Sequence, residues 1–365
     1  MDRKLLKNIE YPILIAITLL TIISVLMISS ATHAMSSGGS FSTARKQLLW
    51  FGIGLAAMVF VISIDYHSFT NWANIIYSIN FLLLIFVLLI GEEGGGAQRW
   101  LDIGSFRLQP SEFAKLAVII TLARHLEKKK SLSSLQDLLS VGLHIIPVML
   151  LIAKQPDLGT SLVLLAMVLG MLFIAGISDK LVAGIMTAGI FSLPIVWFFL
   201  KPYQKDRILV FINPYLDPLG KGYHVIQSKI AIGSGKLFGK GLYQGTQNQL
   251  NFLPVKHTDF IFAVLGEELG FIGGITLFIL YFILLYYSLR VAFKARDLLG
   301  TYIVVGVVSM WAFQILINIG MNMGIMPVTG IPLPFMSYGG SSFLMNMIAA
   351  GLVINVGMRR QKILF

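Results

Sequence analysis

Residues 298–358 read LLGTYIVVGVVSMWAFQILINIGMNMGIMPVTGIPLPFMSYGGSSFLMNMIAAGLVINVGM. No Asp, Glu, Lys or Arg occurs anywhere in this stretch. A helix needs about 20 apolar residues to cross the hydrocarbon core of a bilayer, so the run is long enough for two crossings. Pro327, Pro332 and Pro334 cannot continue a helix. They divide the run at 324–335 and predict irregular backbone at membrane depth. Such backbone is tolerated only where protein covers it or where it lines a wet cavity.

The rest of the chain repeats this pattern. Apolar stretches lie at 11–30, 48–64, 74–90, 112–123, 138–153, 158–177, 181–200, 260–289, 299–323 and 338–358. The fourth is short and the eighth long. The expected fold is therefore an all-α polytopic integral membrane protein, a single domain over 1–365, with about ten transmembrane helices. Its one large polar region, 201–257, becomes an extracytoplasmic loop between the seventh and eighth helices. The run at 11–32 exceeds the roughly 7–15-residue core of a signal peptide, so it reads as a retained first helix.

Composition agrees. Of 365 residues, 56% are apolar and only 12% charged, against about 25% charged in a soluble domain. The chain has no cysteine, which removes disulfides, thiolate metal sites and cysteine nucleophiles. The net charge of +11 is scattered among apolar spans rather than gathered in one stripe, which argues against nucleic acid and for anionic lipid.

Ten crossings put both termini on one side. With that side cytoplasmic, its segments hold Arg3, Lys4, Lys7, Arg124, Lys128, Lys129, Lys130, Lys180, Arg290, Lys294, Arg296, Arg359, Arg360 and Lys362. The short outer loops hold only Arg45, Lys46, Arg99, Arg107 and Lys154. This bias predicts cytoplasmic termini. The outward 201–257 loop carries Lys201, Lys205, Arg207, Lys221, Lys229, Lys236, Lys240 and Lys256 against Asp206 and Asp217. Val225, Ile226 and Ile230 suggest a short amphipathic piece lying in the membrane interface.

Ionisable groups beside apolar spans are candidates for function. His257-Thr258-Asp259-Phe260 joins the basic loop to the eighth span. There Asp259 is either a helpful carboxylate in a helix's first turn or a base held beneath a cationic loop. In 109–115, Ser111 reads as an N-cap, and Glu112 and Lys115 share one helix face as an ion pair. Lys115 could also reach Asp259. Asp157, in Gln155-Pro156-Asp157, either caps the sixth span or faces a substrate. The segment 332–342, with Ser337, Ser341 and Ser342, reads as a re-entrant turn whose hydroxyls satisfy a broken helix. Glu267 and Glu268 read as anchors of helix packing. No His/Glu spacing matches a zinc site, and 91–96 lacks a P-loop ending.

These segments appear in order along most of the chain, with Gln98-Arg99-Trp100, Phe211-Ile212-Asn213-Pro214, Gly220–Tyr223 and 227–235. Together they resemble the SEDS (shape, elongation, division, sporulation) family. Gln155 favours its RodA-like elongation branch over the FtsW-like division branch. The resemblance implies a peptidoglycan glycosyltransferase acting in the bacterial cytoplasmic membrane. Its substrate would be lipid II, a disaccharide-peptide on undecaprenyl pyrophosphate, polymerised at the outer face. A class B penicillin-binding protein and the elongation machinery would be its partners. The family's essential aspartate falls on Asp259, its intramembrane Glu and Lys on Glu112 and Lys115, and a sensitive Trp on Trp100. His257 and Thr258 flank the aspartate.

The implied chemistry suits these residue types. A β-1,4 bond made from an α-linked pyrophosphate inverts the anomeric carbon, so direct displacement needs no covalent enzyme intermediate. Glycosidases use two carboxylates because an alcohol leaving group needs a proton; pyrophosphate does not. One base, Asp259, plus positive charge would suffice. Arg99, Arg207, Lys229, Lys240 and Lys256 are the candidate pyrophosphate-binding cations, with a divalent cation, Mg or Mn, compatible but not required. Asp157, Ser337, Ser341 and Ser342 are candidate substrate contacts. A helix N-terminus and Lys115 would both lower the pKa of Asp259, which weakens a general base. The same ions would serve a lipid II flippase or lipid-linked sugar transporter, and a non-enzymatic scaffold is a third reading.

Overall fold

The computed structural model describes residues 8–33, 41–94, 97–104, 106–129, 132, 134–220 and 222–360. Arg3, Lys4, Lys7, Lys130, Lys221 and Lys362 lie outside the described residues.

The helices run α1 Tyr11–His33, α2 Ser42–Ser63, a single-turn α3 Tyr66–Asn71, and α4 Ala73–Ile90. After a small sheet come α5 Pro110–Glu127, α6 Leu135–Lys154, α7 Leu158–Ile174 and α8 Asp179–Phe199. The polar region folds into α9 Pro202–Ile212, a 3-10 turn at Pro214–Leu216, α10 Tyr223–Ser234 and α11 Thr246–Gln249. The chain ends with α12 Ile261–Phe293, α13 Leu298–Asn322 and α14 Gly340–Met358. Seven of these helices are long and apolar enough to cross a membrane: α1, α2, α4, α6, α12, α13 and α14. The chain is a multi-pass membrane protein. Helix α7 is apolar but shorter, at 17 residues. Helix α5 carries Glu112, Lys115, Arg124 and Glu127.

The charge-free run forms the heart of the bundle. Helices α13 and α14 are 67% and 83% buried over their apolar windows, whereas α4 and α6 are each only 22% buried. A helix that is apolar on every side must bury every side, in protein or in lipid. Helix α14 packs on α2, where a Cβ on Gly54 would come within 2.6 Å of the Met347 side chain. Trp311 is fully buried between α13 and α14, and its indole N–H donates to Asn346 Oδ1 at 2.8 Å.

From Ile331 on, the proline-broken segment is covered by protein, while Ile325 before it is exposed and Met326 and Val328 line a cleft. Ile331, Leu333, Phe335 and Met336 are buried. Its freed carbonyls find donors from other helices: Ser24 on Met336 at 2.6 Å, Tyr281 on Pro334 at 2.7 Å and Asn318 on Ile331 at 2.8 Å. Each such bond removes the cost of a bare carbonyl in a dry interior.

Three features depart from the sequence reading. A three-stranded antiparallel sheet, β1 Glu92–Gly94, β2 Ala97–Ile103 and β3 Phe106–Leu108, fills the loop before α5. Its strands are too short to show period-two patterning; the β2–β3 turn uses Gly104 at φ +62, and Asp102 pairs across strands with Arg107 at 3.2 Å. The long eighth run is two helical pieces joined at Gly270, whose φ of 63 and ψ of −156 suit glycine. Finally, α10 is not an interfacial piece along its whole apolar face, since Val225 and Ala231 pack inside the bundle while Ile230 stays exposed.

Candidate functional site

Asp259 stands just ahead of α12, whose N-cap is Phe260. Neither His257 nor Thr258 caps that helix. Three consecutive main-chain carbonyls here are held by other elements. That of His257 accepts the Tyr338 N–H at 3.0 Å, and that of Thr258 accepts the Ser337 hydroxyl at 2.6 Å. That of Asp259 accepts side-chain amide N–H groups from Asn318 at 3.1 Å and Asn322 at 3.0 Å. Asn322 also accepts the Ala263 N–H at 3.2 Å, so one amide side chain ties the aspartate to the first turn of its own helix. The backbone that presents Asp259 is fixed before any substrate arrives.

The carboxylate lines a cleft of about 430 Å³ together with Tyr203, Asp206, Arg207 and Val210 of α9, His224, Val255 and Met326. Burial pushes the Asp259 carboxyl up to about 6; Arg207, the Thr258 hydroxyl and Arg99 pull the other way without cancelling it, and Asp157 adds to the rise. Desolvation of the charged form outweighs the nearby cations. This reverses the expectation that a helix end and Lys115 would hold the group low. Lys115 is itself fully buried and gives its ammonium to both oxygens of Glu112 at 3.0 Å. The two form a closed pair inside α5.

Arg207 and Arg99 are the cations that bear on Asp259. Arg207 lies with its guanidinium 5.8 Å from the Tyr203 ring and donates to the Thr329 carbonyl at 3.2 Å. Arg99, on β2, donates to the carbonyls of Gln155 at 3.1 Å and Pro156, and faces Asp157 at 3.7 Å. Asp157 caps α7 through the Thr160 N–H at 3.2 Å and also takes the Thr160 hydroxyl at 2.9 Å. Its capping role is therefore real, and it adds a counter-charge to Arg99. Trp100 sits beside Arg99 on β2, in register with Glu92.

Lys256, Lys240 and Ser341 are held in contacts within the protein, whereas Lys229 is not. Lys256 is buried against the Asn248 carbonyl at 2.5 Å and Asn251 Oδ1 at 2.8 Å, and burial lowers it to about 8 against the pull of Glu268 and Glu267. Lys240 pairs with Glu267 at 2.8 Å. Lys229 is exposed, its stem lying where a Cβ on Gly324 would come within 2.0 Å. Ser341 bridges the Arg107 carbonyl at 2.9 Å and the Gln109 N–H at 3.1 Å. Ser342 is approached by the Asn346 amide at 3.5 Å. His257 is lowered by burial and by Lys256, and its ring sits 5.7 Å from that of Tyr338.

Sequence reasoning passed over Asn318 and Asn322, because amides inside an apolar helix carry no charge signal. A polar group at that depth, spaced four residues from its like on one helix face, is the signal that was there.

The family model described as cell cycle protein, covering FtsW, RodA and SpoVE, matches residues 11–362. This chain belongs to the FtsW/RodA/SpoVE family. Within that family, the stage V sporulation protein E of Bacillus subtilis is 42% identical over 354 residues, covering 94% of this chain and 96% of that protein. The peptidoglycan glycosyltransferase MrdB of Escherichia coli K12 is also 42% identical, over 347 residues and 94% of each chain. A solved chain described under structural coordination of polymerization and crosslinking by a peptidoglycan synthase complex superposes with a TM-score of 0.82 at 30% identity. It covers 96% of this chain and 98% of that one. The resemblance read from the motifs thus extends to the whole FtsW/RodA/SpoVE architecture.

Proposed function

We propose that this chain is a RodA-like peptidoglycan glycosyltransferase that extends glycan strands from lipid II during cell elongation, with Asp259 as its base. The observation that carries the assignment of the base is the carboxylate itself: it is immobilised through its own backbone, lines the cleft and is raised to about 6. Near neutral pH such a group is mostly ionised yet basic enough to take a proton, which is what general base catalysis asks for.

In the proposed reaction the acceptor sugar's 4-hydroxyl gives its proton to Asp259 as its oxygen attacks the donor's anomeric carbon. The new C–O bond forms on the face opposite the pyrophosphate, which departs with the bonding electron pair. Arg207 and Arg99 supply positive charge for the departing anion. Among the described residues no three His, Asp or Glu side chains converge to hold a metal. Where the reaction uses a Mg or Mn ion, the Asp259 carboxylate at the cleft would hold it, and it would supply further positive charge for the departing pyrophosphate.

Ten membrane crossings, with α5, α7 and α8 joining the seven long helices, put both termini in the cytoplasm and the Asp259 cleft at the outer face. The lysine and arginine bias supports that orientation. A class B penicillin-binding protein would cross-link the product strands, an inference supported by the synthase complex from which the similar solved chain comes.

The test is polymerisation of lipid II by purified protein in detergent. Detergent abolishes transport between leaflets and leaves polymerisation possible in principle. Glycan strands are expected. Their absence, together with lipid II movement across reconstituted vesicles, would favour the flippase reading.

A further inference from the structure

We infer that α9 is an in-plane interfacial helix whose outward stripe is immersed in the bilayer edge at the Asp259 end of the bundle. The helix has two faces. Tyr203, Arg207 and Val210 follow helical spacing and line the cleft. Leu209 and Ile212 lie on another face, Leu216 follows in the separate 3-10 turn beyond the extended Asn213, and none of the three belongs to the packed core. They are 43%, 73% and 68% exposed, although they belong to the polar region between the apolar helices. A stripe of large apolar residues left bare in water would be costly at roughly 25 cal/mol per Å² of exposed apolar surface.

The position of α9 supplies the occupant. It begins three residues after the end of α8, whose last residues Phe198 and Phe199 are exposed by more than four-fifths. The outward stripe is thus continuous with an apolar surface that already faces lipid. Lys205 precedes Leu209 by one turn and places its ammonium 5.7 Å from the Trp197 ring. A tryptophan and a lysine together at the end of an apolar helix are the groups expected at headgroup level. Lys201 adds a second cation at the same place, matching anionic headgroups. A helix with one apolar face and one polar face lies flat in such a boundary.

The immersion of α9 does not depend on the reaction proposed above. Its consequence does: a helix lying there would present Arg207 to the cleft at the depth of a lipid pyrophosphate, so that the prenyl tail need not leave the bilayer.

The chain has no cysteine, so single cysteines can report on each site. Leu209→Cys, Ile212→Cys and Leu216→Cys would each carry a nitroxide in full-length protein reconstituted in phosphatidylethanolamine–phosphatidylglycerol vesicles. Phe278→Cys, on the exposed flank of α12, serves as the lipid reference and the exposed Gln136→Cys as the aqueous one. Paramagnetic collision rates with oxygen and with a water-soluble nickel chelate are read for each. The expected result is oxygen accessibility several-fold above nickel accessibility at all three sites, tracking the Phe278 position. Nickel accessibility like that of the Gln136 position would place the stripe in water and overturn the inference. Low collision with both reagents would place it under protein and overturn it equally.

Discussion

The side-chain amide of Asn322 donates to the main-chain carbonyl of Asp259 at 3.0 Å, and the same side chain accepts the Ala263 N–H at 3.2 Å. One residue of α13 therefore sets both the backbone of the proposed base and the start of the helix behind it. Asn322→Ala leaves Asn318 on the Asp259 carbonyl and the Phe260 carbonyl on the Ala263 N–H, so it should lower kcat about twofold to tenfold, corresponding to roughly 0.5–1.5 kcal/mol for a lost hydrogen bond. KM should change little, because Asn322 faces the backbone of Asp259 rather than the cleft. Initial rates against lipid II concentration, normalised to folded protein by size exclusion, check this; a pure KM effect would contradict it.

The raised pKa of Asp259 predicts an acidic limb in the rate. Activity needs the ionised form, so it should rise with pH through about 6 and level off above. Arg207 lowers this pKa, so Arg207→Gln should move the limb to higher pH while Arg207→Lys keeps it near the original position. Loss of the cation should also cost about 10–100-fold in kcat/KM, from a charge-assisted contact of roughly 1.5–3 kcal/mol. A pH–rate profile for the three proteins decides it.

Stability should move in the opposite sense to activity. Asp259 has a folded pKa above its ordinary value of 3.8, so its contribution to stability is full below that value and is lost as pH rises through about 6. Asp259→Asn removes the charge and keeps the shape. Its Tm should exceed that of the unsubstituted protein at pH 8, and the difference should shrink toward pH 4. Thermal unfolding in detergent at the two pH values measures it; a lower Tm at pH 8 would place the carboxylate in a stabilising rather than a strained role.

Glu267 holds the outer segment on α12. Its oxygens accept from Lys240 at 2.8 Å and from the main-chain N–H groups of Gln247 at 2.9 Å and Asn248 at 3.0 Å. Glycines let that segment approach: a Cβ on Gly245 would come within 2.7 Å of the Glu267 carboxylate. With the Thr246 hydroxyl at 3.3 Å included, Glu267→Ala strips four donors of an acceptor; Lys240 is partly exposed and keeps the Thr246 hydroxyl, so the loss should be about 1–3 kcal/mol, from the main-chain N–H groups left without a partner. Protease susceptibility across 240–249 should rise well before the transmembrane helices unfold, as local opening predicts.

The sequence announces the apolar runs, the proline break and the carboxylate at the head of α12, because each is a local signal of composition or charge. It does not announce which cations bear on Asp259. Helical spacing makes the Glu112–Lys115 ion pair legible, and that pair forms; the further reach of Lys115 to Asp259 does not, and Arg207 bears on Asp259 from a helix inside the polar loop. Lys240 and Lys256 looked like anion-binding residues, but buried acids on α12 and loop carbonyls engage them. Such choices are made by long-range packing. The small sheet at 92–108 escaped for a different reason, since strands of three to seven residues carry too little pattern to separate them from loop.

The central claim is that one carboxylate, fixed by its backbone and raised by burial, deprotonates the acceptor sugar. The most direct measurement is glycan synthesis from lipid II by purified Asp259→Asn, beside the unsubstituted protein at equal folded concentration. The account predicts intact folding and strand synthesis reduced to background. Near-normal synthesis by that variant would contradict it.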